Sequence, residues 1–332
     1  MVNVVVTCPA DEEFRRAILD TLDRSANVMF LSDISPNERS SVLTSAEILV
    51  SWDLEREFQP LEFGLISNVK LLQLLSAGVD HIPLSSLPSE TIIAGNAGAY
   101  AEQMAEHVVA MILAIFKNLL DRHNKLVNGV FDHDNENRVL RGSSCAILGF
   151  GGIGKATARL LTCFGVKIFA INTSGRTNEH TEFIGTLKDL EYVLRLADIL
   201  VISLPLMNST RGLIGSRELD WMKNDATIIN VARGDIIDEA ALFKKLKQHP
   251  TFHAGIDTWW VEPFRGGQFQ TSYPILTLAN VLGSPHNSGL VPSAFASGAV
   301  YAAKNVNRFL SHEQLLGVVN RSDYATARQL HH

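Results

Sequence analysis

The sequence has little that would tie the protein to an oxidising compartment, a membrane or a nucleic acid. Its 332 residues include three cysteines, Cys8, Cys145 and Cys163, an odd number without paired spacing, which predicts free thiols in a reducing compartment. No apolar run approaches the roughly 20 residues of a membrane span, and the apolar amino terminus is too short and uncharged for a signal peptide. A net charge of −6 without a dense basic stretch gives a polyanion little to bind. We therefore expect a cytoplasmic protein without membrane or nucleic-acid partners.

What the chain does contain is a regular α/β pattern. Hydrophobic residues make up 46% and charged residues 19%, which is typical of a globular protein, and the length suggests about two domains. Short apolar runs alternate with segments of helical periodicity, a pattern that favours parallel sheets. Strands are predicted at 2–7, 27–31, 48–50, 71–75, 92–94, 145–148, 166–171, 198–204, 227–231, 254–257 and 280–282. Helices are predicted at 11–22, 102–120, 155–164 and 291–310, and residues 121–141 read as a polar surface connection.

A glycine motif links the strand at 145–148 to the helix that begins at 155. Gly149 permits a tight turn, Gly151 allows the backbone to approach a pyrophosphate, and Gly154 allows close packing of helix on strand. The free N–H groups and positive dipole at a helix amino end favour phosphate. Because strand, turn, helix and second strand follow in this order, we interpret the motif as a dinucleotide site rather than a structural turn. The predicted cofactor contacts here are Gly149, Phe150, Gly151, Gly152, Ile153 and Gly154.

The residue at the end of the second strand bears on the choice of cofactor. NAD-binding proteins usually carry an acidic side chain there, which accepts from the ribose 2′-hydroxyl. This chain has Asn172 instead, followed by Ser174 and Arg176. A missing carboxylate removes repulsion toward a 2′-phosphate, and an arginine can pair with one. The sequence therefore favours NADP(H); the alternative is that Arg176 is solvated and NAD(H) binds without a carboxylate.

Three further strands are followed by residues with charged or titratable side chains. Arg233 follows the strand at 227–231, Asp257 and Glu262 follow the next, and His286 follows the last. In a parallel sheet these ends open on the same edge as the glycine loop, so a cation, carboxylates and an imidazole are predicted beside the cofactor. No cluster has metal-ligand spacing, so no metal is expected. Cofactor contacts are also predicted at the neighbouring strand ends, at Leu204, Pro205, Val231 and Ala232.

The first part of the chain offers weaker candidates. Ala77 and Gly78 lie in a small-residue loop after a strand and could present backbone N–H groups to an anion, or could simply connect two elements. Tyr100 and Trp52 are aromatics near strand ends, which either line a pocket or pack in the core. His107, among apolar residues of a predicted helix, is interpreted as a core histidine rather than a ligand.

Taken together, these motifs resemble the D-isomer-specific 2-hydroxyacid dehydrogenases. The resemblance rests on five segments in family order, which cover most of the chain: Ser76-Ala77-Gly78-Val79-Asp80, Ala105-Glu106-His107, the glycines 149–154, Asn230-Val231-Ala232-Arg233-Gly234 with Asp238, and Asp257 with Glu262-Pro263 and Ser284-Pro285-His286. It implies two Rossmann-like parallel-sheet domains. The cofactor domain, 97–291, would be inserted into a split substrate domain, 1–96 plus 292–332. It also implies a homodimer to whose interface the helix at 102–120 contributes.

The resemblance implies a role for each matched residue. Arg233 corresponds to the substrate-binding arginine, Glu262 to the family acid, and His286 to the proton-transferring histidine. Asp257 stands where the family contacts the nicotinamide carboxamide, while Asn172 departs from the usual Asp of NAD-dependent members. Substrate contacts are expected from Arg233, Ala77, Gly78 and Tyr100.

The implied reaction is hydride transfer between a nicotinamide cofactor and a 2-oxo acid/D-2-hydroxy acid pair, with glyoxylate and hydroxypyruvate as the expected small substrates. Formate dehydrogenases are disfavoured because they carry Gln where Glu262 stands and need no general base. D-3-phosphoglycerate dehydrogenase activity remains the enzymatic alternative. Many such enzymes carry an Arg near the end of the strand at 48–50, whereas this chain has Ser51 and Trp52 at that strand end. A binding protein that senses NAD(P) is the non-enzymatic alternative. His331 and His332 are interpreted as a possible tag remnant.

Overall fold

The computed structural model describes residues 1–265 and 267–324, so His331 and His332 lie outside the described residues. Within those ranges, twelve strands form two sheets in which every strand pair is parallel. The predicted α/β class is therefore confirmed. The strands are β1 Val2–Val6, β2 Ala26–Phe30, β3 Ile48–Ser51, β4 Leu71–Leu74, β5 Ile92–Ala94, β6 Ser144–Leu148, β7 Lys167–Ile171, β8 Phe183–Gly185, β9 Ile199–Ile202, β10 Thr227–Asn230, β11 His253–Ile256 and β12 Val281–Gly283.

The sheets are covered by helices on both faces, which explains why their central strands are apolar throughout rather than alternating. In the described ranges the α-helices are α1 Glu12–Thr21, α2 Pro36–Ser45, α3 Leu54–Glu57, α4 Ala101–Phe116, α5 Leu119–Val127, α6 Gly152–Cys163, α7 Leu190–Leu196, α8 Ser216–Trp221, α9 Glu239–Gln248 and α10 Ala294–Leu310.

The chain divides into two compact units. Unit 1 comprises Met1–Tyr100 and the segment from Val291 onward, and unit 2 comprises Ala101–Leu290. The sheet of unit 1 has the order β2-β1-β3-β4-β5. Its α10 packs against α1, so the carboxyl-terminal part of the chain completes the core of the amino-terminal unit.

Unit 2 contains the seven-stranded sheet, in the order β12-β11-β10-β9-β6-β7-β8. The strand order reverses between β6 and β9, because β7 and β8 lie on one side of β6 and the later strands on the other. A crevice at such a reversal is where open α/β sheets bind ligands. The glycine loop at 149–154 follows β6 and therefore begins at this reversal.

Several helix bounds differ from the sequence predictions. The predicted helix at 102–120 is two helices, because Asn118 adopts a left-handed conformation (φ +50°) that ends the first and precedes the second. The predicted connection at 121–141 thus contains most of α5. The helix predicted at 155–164 begins earlier, at Gly152. The short strand β8 and the helices α7, α8 and α9 lie in segments for which no element is predicted.

Helices α4 and α5 also bear on the membrane expectation. No single helix in the described ranges is long and apolar enough to cross a membrane. Only the two helices taken together have the length and apolar composition of a membrane span, and they are bent by 56° relative to each other. Half of the α4 residues are buried among the core side chains of unit 2, which is the ordinary reason for an apolar helix in a folded domain.

Candidate active site

The carboxyl ends of five adjacent parallel strands of unit 2 carry most of the predicted site. The glycine loop follows β6, Leu204 follows β9, Arg233 follows β10, and His286 follows β12. Asp257 and Glu262 follow β11, which lies between β10 and β12. Because all these pairs are parallel, the residues emerge at one edge of one sheet, as predicted.

The three glycines of the motif have different surroundings. A Cβ on Gly149 would lie 2.6 Å from the carbonyl carbon of Ser203, and the residue has φ +95°. A Cβ on Gly154 would collide with the carbonyl oxygen of Gly149. A Cβ on Gly151 would meet nothing within 4 Å. Gly149 and Gly154 are thus required by packing, whereas Gly151 faces open space at the amino end of α6, the kind of position that favours phosphate groups.

The neighbouring side chains point largely into the core. Phe150, Val231 and Ala232 are buried and belong to the packing of unit 2, so only their backbone is available to a cofactor. Leu204 is also buried, whereas Pro205 is exposed. Gly152 and Ile153 lie in the first turn of α6, which adds their N–H groups to the unpaired donors of that helix end.

The loop after β7 is shaped by the side chain of Asn172. Its Oδ1 accepts from the backbone N–H of Ser174 (3.1 Å) and of Gly175 (2.7 Å), and its Nδ2 donates to the carbonyl of Arg176 (2.9 Å). The Ser174 hydroxyl also lies 3.2 Å from the same oxygen. The side-chain oxygen of Asn172 is therefore engaged within the turn. Arg176 lies in the same turn and is exposed.

His286 and Glu262 form a direct pair. Nδ1 of the imidazole lies 2.8 Å from Oε1 of Glu262, whose side chain is almost completely buried. The same oxygen accepts from the backbone N–H of Trp259 at 2.9 Å. Since a carboxylate oxygen can only accept, Nδ1 is the donor in this pair, and Nε2 is left for another partner. The ring of Phe264 lies edge-on to the imidazole, with centroids 5.2 Å apart.

Arg233 is brought to the same region by close packing of the backbone. Gly234 lies so near the Trp259–Trp260 peptide that a Cβ would collide with it. The Asn230 side chain donates to the Arg233 carbonyl at 2.8 Å, which fixes the turn after β10. The guanidinium is half-buried and donates to the Ala232 carbonyl at 2.7 Å.

The side chain of Asp257 is engaged by neighbouring groups of the protein. Its side chain is completely buried and accepts from the Ser284 hydroxyl (2.6 Å) and from the backbone N–H groups of Asn287 (3.1 Å) and Ser288 (3.2 Å). Burial alone would raise the pKa of Asp257, but the hydrogen bonds from Ser284 and Ser288, the nearby His107 and the backbone N–H of Asn287 together hold the pKa below its ordinary value. A contact with the nicotinamide carboxamide stays a prediction, because both oxygens are already engaged by the protein.

The candidates in unit 1 surround the loop after β4. Ala77 is exposed and Gly78 half-buried. The Tyr100 hydroxyl donates to the Leu75 carbonyl at 2.8 Å, and burial raises the pKa of Tyr100 to about 12. The hydroxyl hydrogen of Tyr100 is thus engaged by the backbone just before Ala77, and the substrate contact of Tyr100 stays a prediction. The Trp52 ring lies edge-on to Tyr100, with centroids 6.5 Å apart.

His107 is hydrogen-bonded, as expected of a satisfied histidine, but it is only partly buried. His107 lies on α4, and its Nε2 is 3.0 Å from the Ser284 hydroxyl and 3.7 Å from Asp257 Oδ1. No sequence signal joins His107 to Ser284, because 177 positions separate them. Within the described part of the chain, no three His, Cys, Asp or Glu side chains are grouped to hold a metal ion.

Comparison with known proteins identifies the family. The family model described as D-isomer specific 2-hydroxyacid dehydrogenase, NAD binding domain, matches residues 109–288. The chain belongs to this family of oxidoreductases. The match covers the glycine loop, Arg233, Glu262 and His286.

Relatives agree with this assignment. A glyoxylate reductase of Thermofilum pendens is 30% identical over 261 residues, which are 76% of each chain. A D-3-phosphoglycerate dehydrogenase of Methanocaldococcus jannaschii is 27% identical over 96% of this chain but only 60% of its own length. The crystal structure of a putative formate dehydrogenase from Pyrobaculum aerophilum shares the fold, with a TM-score of 0.81 at 24% identity over 97% of this chain and all of the other.

The different surroundings of the glycines give a prediction about binding and stability. Gly151→Ala should leave the free energy of unfolding nearly unchanged but weaken dinucleotide binding, because its Cβ would occupy the open space in front of α6. Gly149→Ala should lower the free energy of unfolding by more than about 1 kcal/mol, since it adds strain at positive φ. Urea unfolding and fluorescence titration with NADPH measure the two effects. A Gly151→Ala variant that binds NADPH normally would contradict the cofactor assignment of this loop.

Proposed function

We propose that the chain catalyses the reversible reduction of a small 2-oxo acid to a D-2-hydroxy acid, with glyoxylate or hydroxypyruvate as substrate and NADPH as the preferred cofactor. The observation that carries the proposal is the 2.8 Å pair of His286 and Glu262, which follows β12 and β11 at the edge that also bears Arg233 and the glycine loop. The glyoxylate reductase among the relatives supports the choice of substrate.

In this proposal His286 exchanges the proton. Because Nδ1 is engaged by Glu262, Nε2 would give a proton to the oxygen that develops negative charge during reduction and would take it back during oxidation. An imidazole suits both directions because its unperturbed pKa lies near neutrality. Glu262 would fix the orientation of the ring. A bound nicotinamide would supply or accept the hydride.

The substrate carboxylate would be bound by arginine and by backbone donors. Arg233 presents a planar fork of donors that matches a carboxylate. We also assign carboxylate binding to the backbone N–H groups of Ala77 and Gly78, and a substrate contact to Tyr100. Asp257 and the buried Phe150, Val231 and Ala232 would act through the backbone that they support.

The reaction class is tested first by initial rates. Glyoxylate, hydroxypyruvate and phosphohydroxypyruvate are each supplied with NADPH and with NADH, and cofactor oxidation is followed by absorbance. Faster turnover of either small oxo acid supports the proposal. Preference for phosphohydroxypyruvate would assign phosphoglycerate dehydrogenase activity, the alternative that the Methanocaldococcus relative keeps open. Cofactor binding without turnover of any 2-oxo acid would favour a sensor.

His286→Ala should lower kcat by about 10²- to 10⁴-fold, the range for loss of a general acid–base group. NADPH affinity should be unchanged, since the glycine loop is left intact. Steady-state kinetics and fluorescence titration measure the two quantities. His249→Ala is the matched control, because His249 caps α9 and precedes β11 at the opposite edge of the sheet. Normal turnover by His286→Ala would remove the proposed role.

The preference for NADPH rests on the loop after β7. The Asn172 oxygen is already taken by Ser174 and Gly175, so it is poorly placed to accept from a ribose hydroxyl as an acidic residue would. The same turn presents the exposed guanidinium of Arg176, which can pair with a 2′-phosphate. NADH is the alternative cofactor.

Arg176→Ala should raise KM for NADPH by about 10- to 100-fold, because hydrogen bonds to charged groups contribute about 1.5–3 kcal/mol. KM for NADH should not change. Arg195→Ala on α7 is the control, since Arg195 is another exposed arginine of unit 2 that pairs only with Glu191 among its described contacts. Equal effects of Arg176→Ala on both cofactors would discard the NADPH preference.

We also propose that the protein is a homodimer, to whose interface the predicted helix at 102–120 contributes through its carboxyl-terminal residues, which begin α5, together with the rest of α5. Helix α5 has no buried residue although it carries leucines and a valine, and the following loop exposes Phe131 by 82%. Contiguous exposed apolar side chains of this kind mark association surfaces. They are Leu119, Leu120, Leu126, Val127, Val130 and Phe131.

Leu126→Glu together with Phe131→Glu should convert the dimer to a monomer, because two carboxylates would be desolvated on each side of a symmetric interface. Light scattering after size exclusion measures the mass. Leu61→Glu is the control, since Leu61 is 89% exposed in unit 1 and lies outside this surface. A double variant that stays dimeric would place the interface elsewhere.

The thiols fit a reducing compartment. Cys163 is exposed and free, whereas Cys8 is buried, and burial together with Glu57 raises its pKa to about 12. An exposed unpaired thiol is best maintained in the cytoplasm, which we propose as the location.

A further inference from the structure

The backbone of His286 adopts an unusual conformation. Its φ is +52°, a left-handed value that a residue with a side chain seldom adopts and that persists only where its surroundings enforce it. The surroundings here are the carboxylate of Asp257, which accepts from the two N–H groups that directly follow His286, those of Asn287 and Ser288. The conformation of the proposed proton-transfer residue therefore depends on how firmly Asp257 is held.

Asp257 is held by a chain of hydrogen bonds that leads to α4. The Ser284 hydroxyl has one hydrogen, and at 2.6 Å from the carboxylate it donates that hydrogen to Asp257 Oδ1. The hydroxyl oxygen of Ser284 can then only accept a hydrogen bond from His107. Nε2 of His107, at 3.0 Å, is consequently the donor, which defines the protonation of that ring nitrogen.

Helix packing explains why a residue of α4 reaches this position. Helix α4 crosses β11 at Gly255, where a Cβ would lie 3.4 Å from Ile115 and 3.5 Å from Met111. His107 lies one turn before Met111, a displacement of about 6 Å along the helix. Asp257 lies two residues beyond Gly255, a displacement of about 6.6 Å along the strand. These two displacements match in length, and the 3.7 Å distance from His107 Nε2 to Asp257 Oδ1 shows that they run in the same direction from the contact at Gly255.

We propose that His107 is a positioning residue for the active site, which acts through Ser284 and Asp257 on the left-handed turn at His286. It lies 3.7 Å from Asp257 Oδ1, so its N–H group also faces the carboxylate that it helps to orient. This inference deepens the proposed function and rests on it for the effect on turnover. Its structural part, the coupling of His107 to the backbone after His286, does not need any activity.

The experiment compares His107→Leu, which removes the donor, with His107→Gln, which keeps an N–H donor of similar reach. His107→Leu should lower kcat for glyoxylate about tenfold, because small displacements of a reacting group are costly, with KM for NADPH unchanged. His107→Gln should recover most of that rate. Hydrogen exchange at residues 284–290, followed by mass spectrometry, should be faster in His107→Leu and normal in His107→Gln. His249→Leu, the same change at the opposite sheet edge, should alter neither quantity.

Ser284 supplies a second route if His107→Leu does not fold. Ser284→Ala should reproduce the faster exchange and slower turnover, and Ser284→Thr, which retains the hydroxyl, should not. The double variant His107→Leu/Ser284→Ala should be no worse than Ser284→Ala alone, because both changes break one chain of bonds. Additive effects, or normal exchange in both single variants, would overturn the inference. If the wild type turns over no 2-oxo acid, the proposed function fails, and the exchange measurement alone decides the role of His107.

Discussion

The buried carboxylate of Asp257 is the interaction on which the catalytic edge of unit 2 depends. A left-handed non-glycine residue costs about 1–3 kcal/mol, and an unpaired buried charge costs several more. The hydrogen bonds of Asp257 act against both: they pair its buried charge, and they hold the backbone on either side of His286, because Asp257 accepts from Ser284 before it and from Asn287 and Ser288 after it. Hydrogen bonds to a charged group contribute about 1.5–3 kcal/mol each, so three of them outweigh the strain. The turn is stable because its donors converge on one acceptor.

The spacing of the elements around that carboxylate is set by backbone that has no side chain. Gly234 lets the turn after β10 lie against the Trp259–Trp260 peptide, and this contact brings the strand end that carries Arg233 next to the one that carries Glu262. Gly255 lies where α4 packs on β11, and a Cβ there would be 3.4 Å from Ile115 and 3.5 Å from Met111. A side chain at Gly234 would collide with the Trp259–Trp260 peptide and push those two strand ends apart. The polar contacts of the edge are therefore a consequence of close packing beneath them.

Sequence patterns predict those features that a short segment determines by itself. The apolar runs predict the parallel strands, and the order of strand, glycines and helix predicts the turn after β6. Chain order alone places Arg233, Glu262 and His286 at one edge, since parallel strands end together. The three-residue strand β8 carries too little periodicity to be recognised. The left-handed Asn118 that divides α4 from α5 is of a residue type that tolerates this conformation, but the apolar Leu119 and Leu120 that follow it continue the helical pattern.

Features that depend on distant partners escape prediction. The hydroxyl of Tyr100 is engaged by Leu75 and the carboxylate of Asp257 by Ser284, contacts that link positions 25 and 27 residues apart. His107 is a clearer case, because its partner is 177 residues away and becomes a neighbour only after α4 has packed. The residues around His107 in the sequence are apolar, which predicts a histidine in the core. Its hydrogen bond to Ser284 depends on where α4 packs against β11, which no local pattern encodes.

Two carboxylates lie close to His286, and their surroundings give them separate effects. Asp257 accepts from Ser284, which precedes His286, and from the backbone N–H groups of Asn287 and Ser288, which follow it, so it acts on the backbone of the turn. Glu262 receives one backbone N–H, from Trp259, and its Oε1 also takes Nδ1 of His286, so it controls the orientation of the ring. The two carboxylates thus act on different parts of one residue, Asp257 on the backbone that follows His286 and Glu262 on Nδ1 of its ring. An imidazole fixed from both its backbone and its ring has one nitrogen left to exchange a proton, and that is the property that the proposed reaction requires of it.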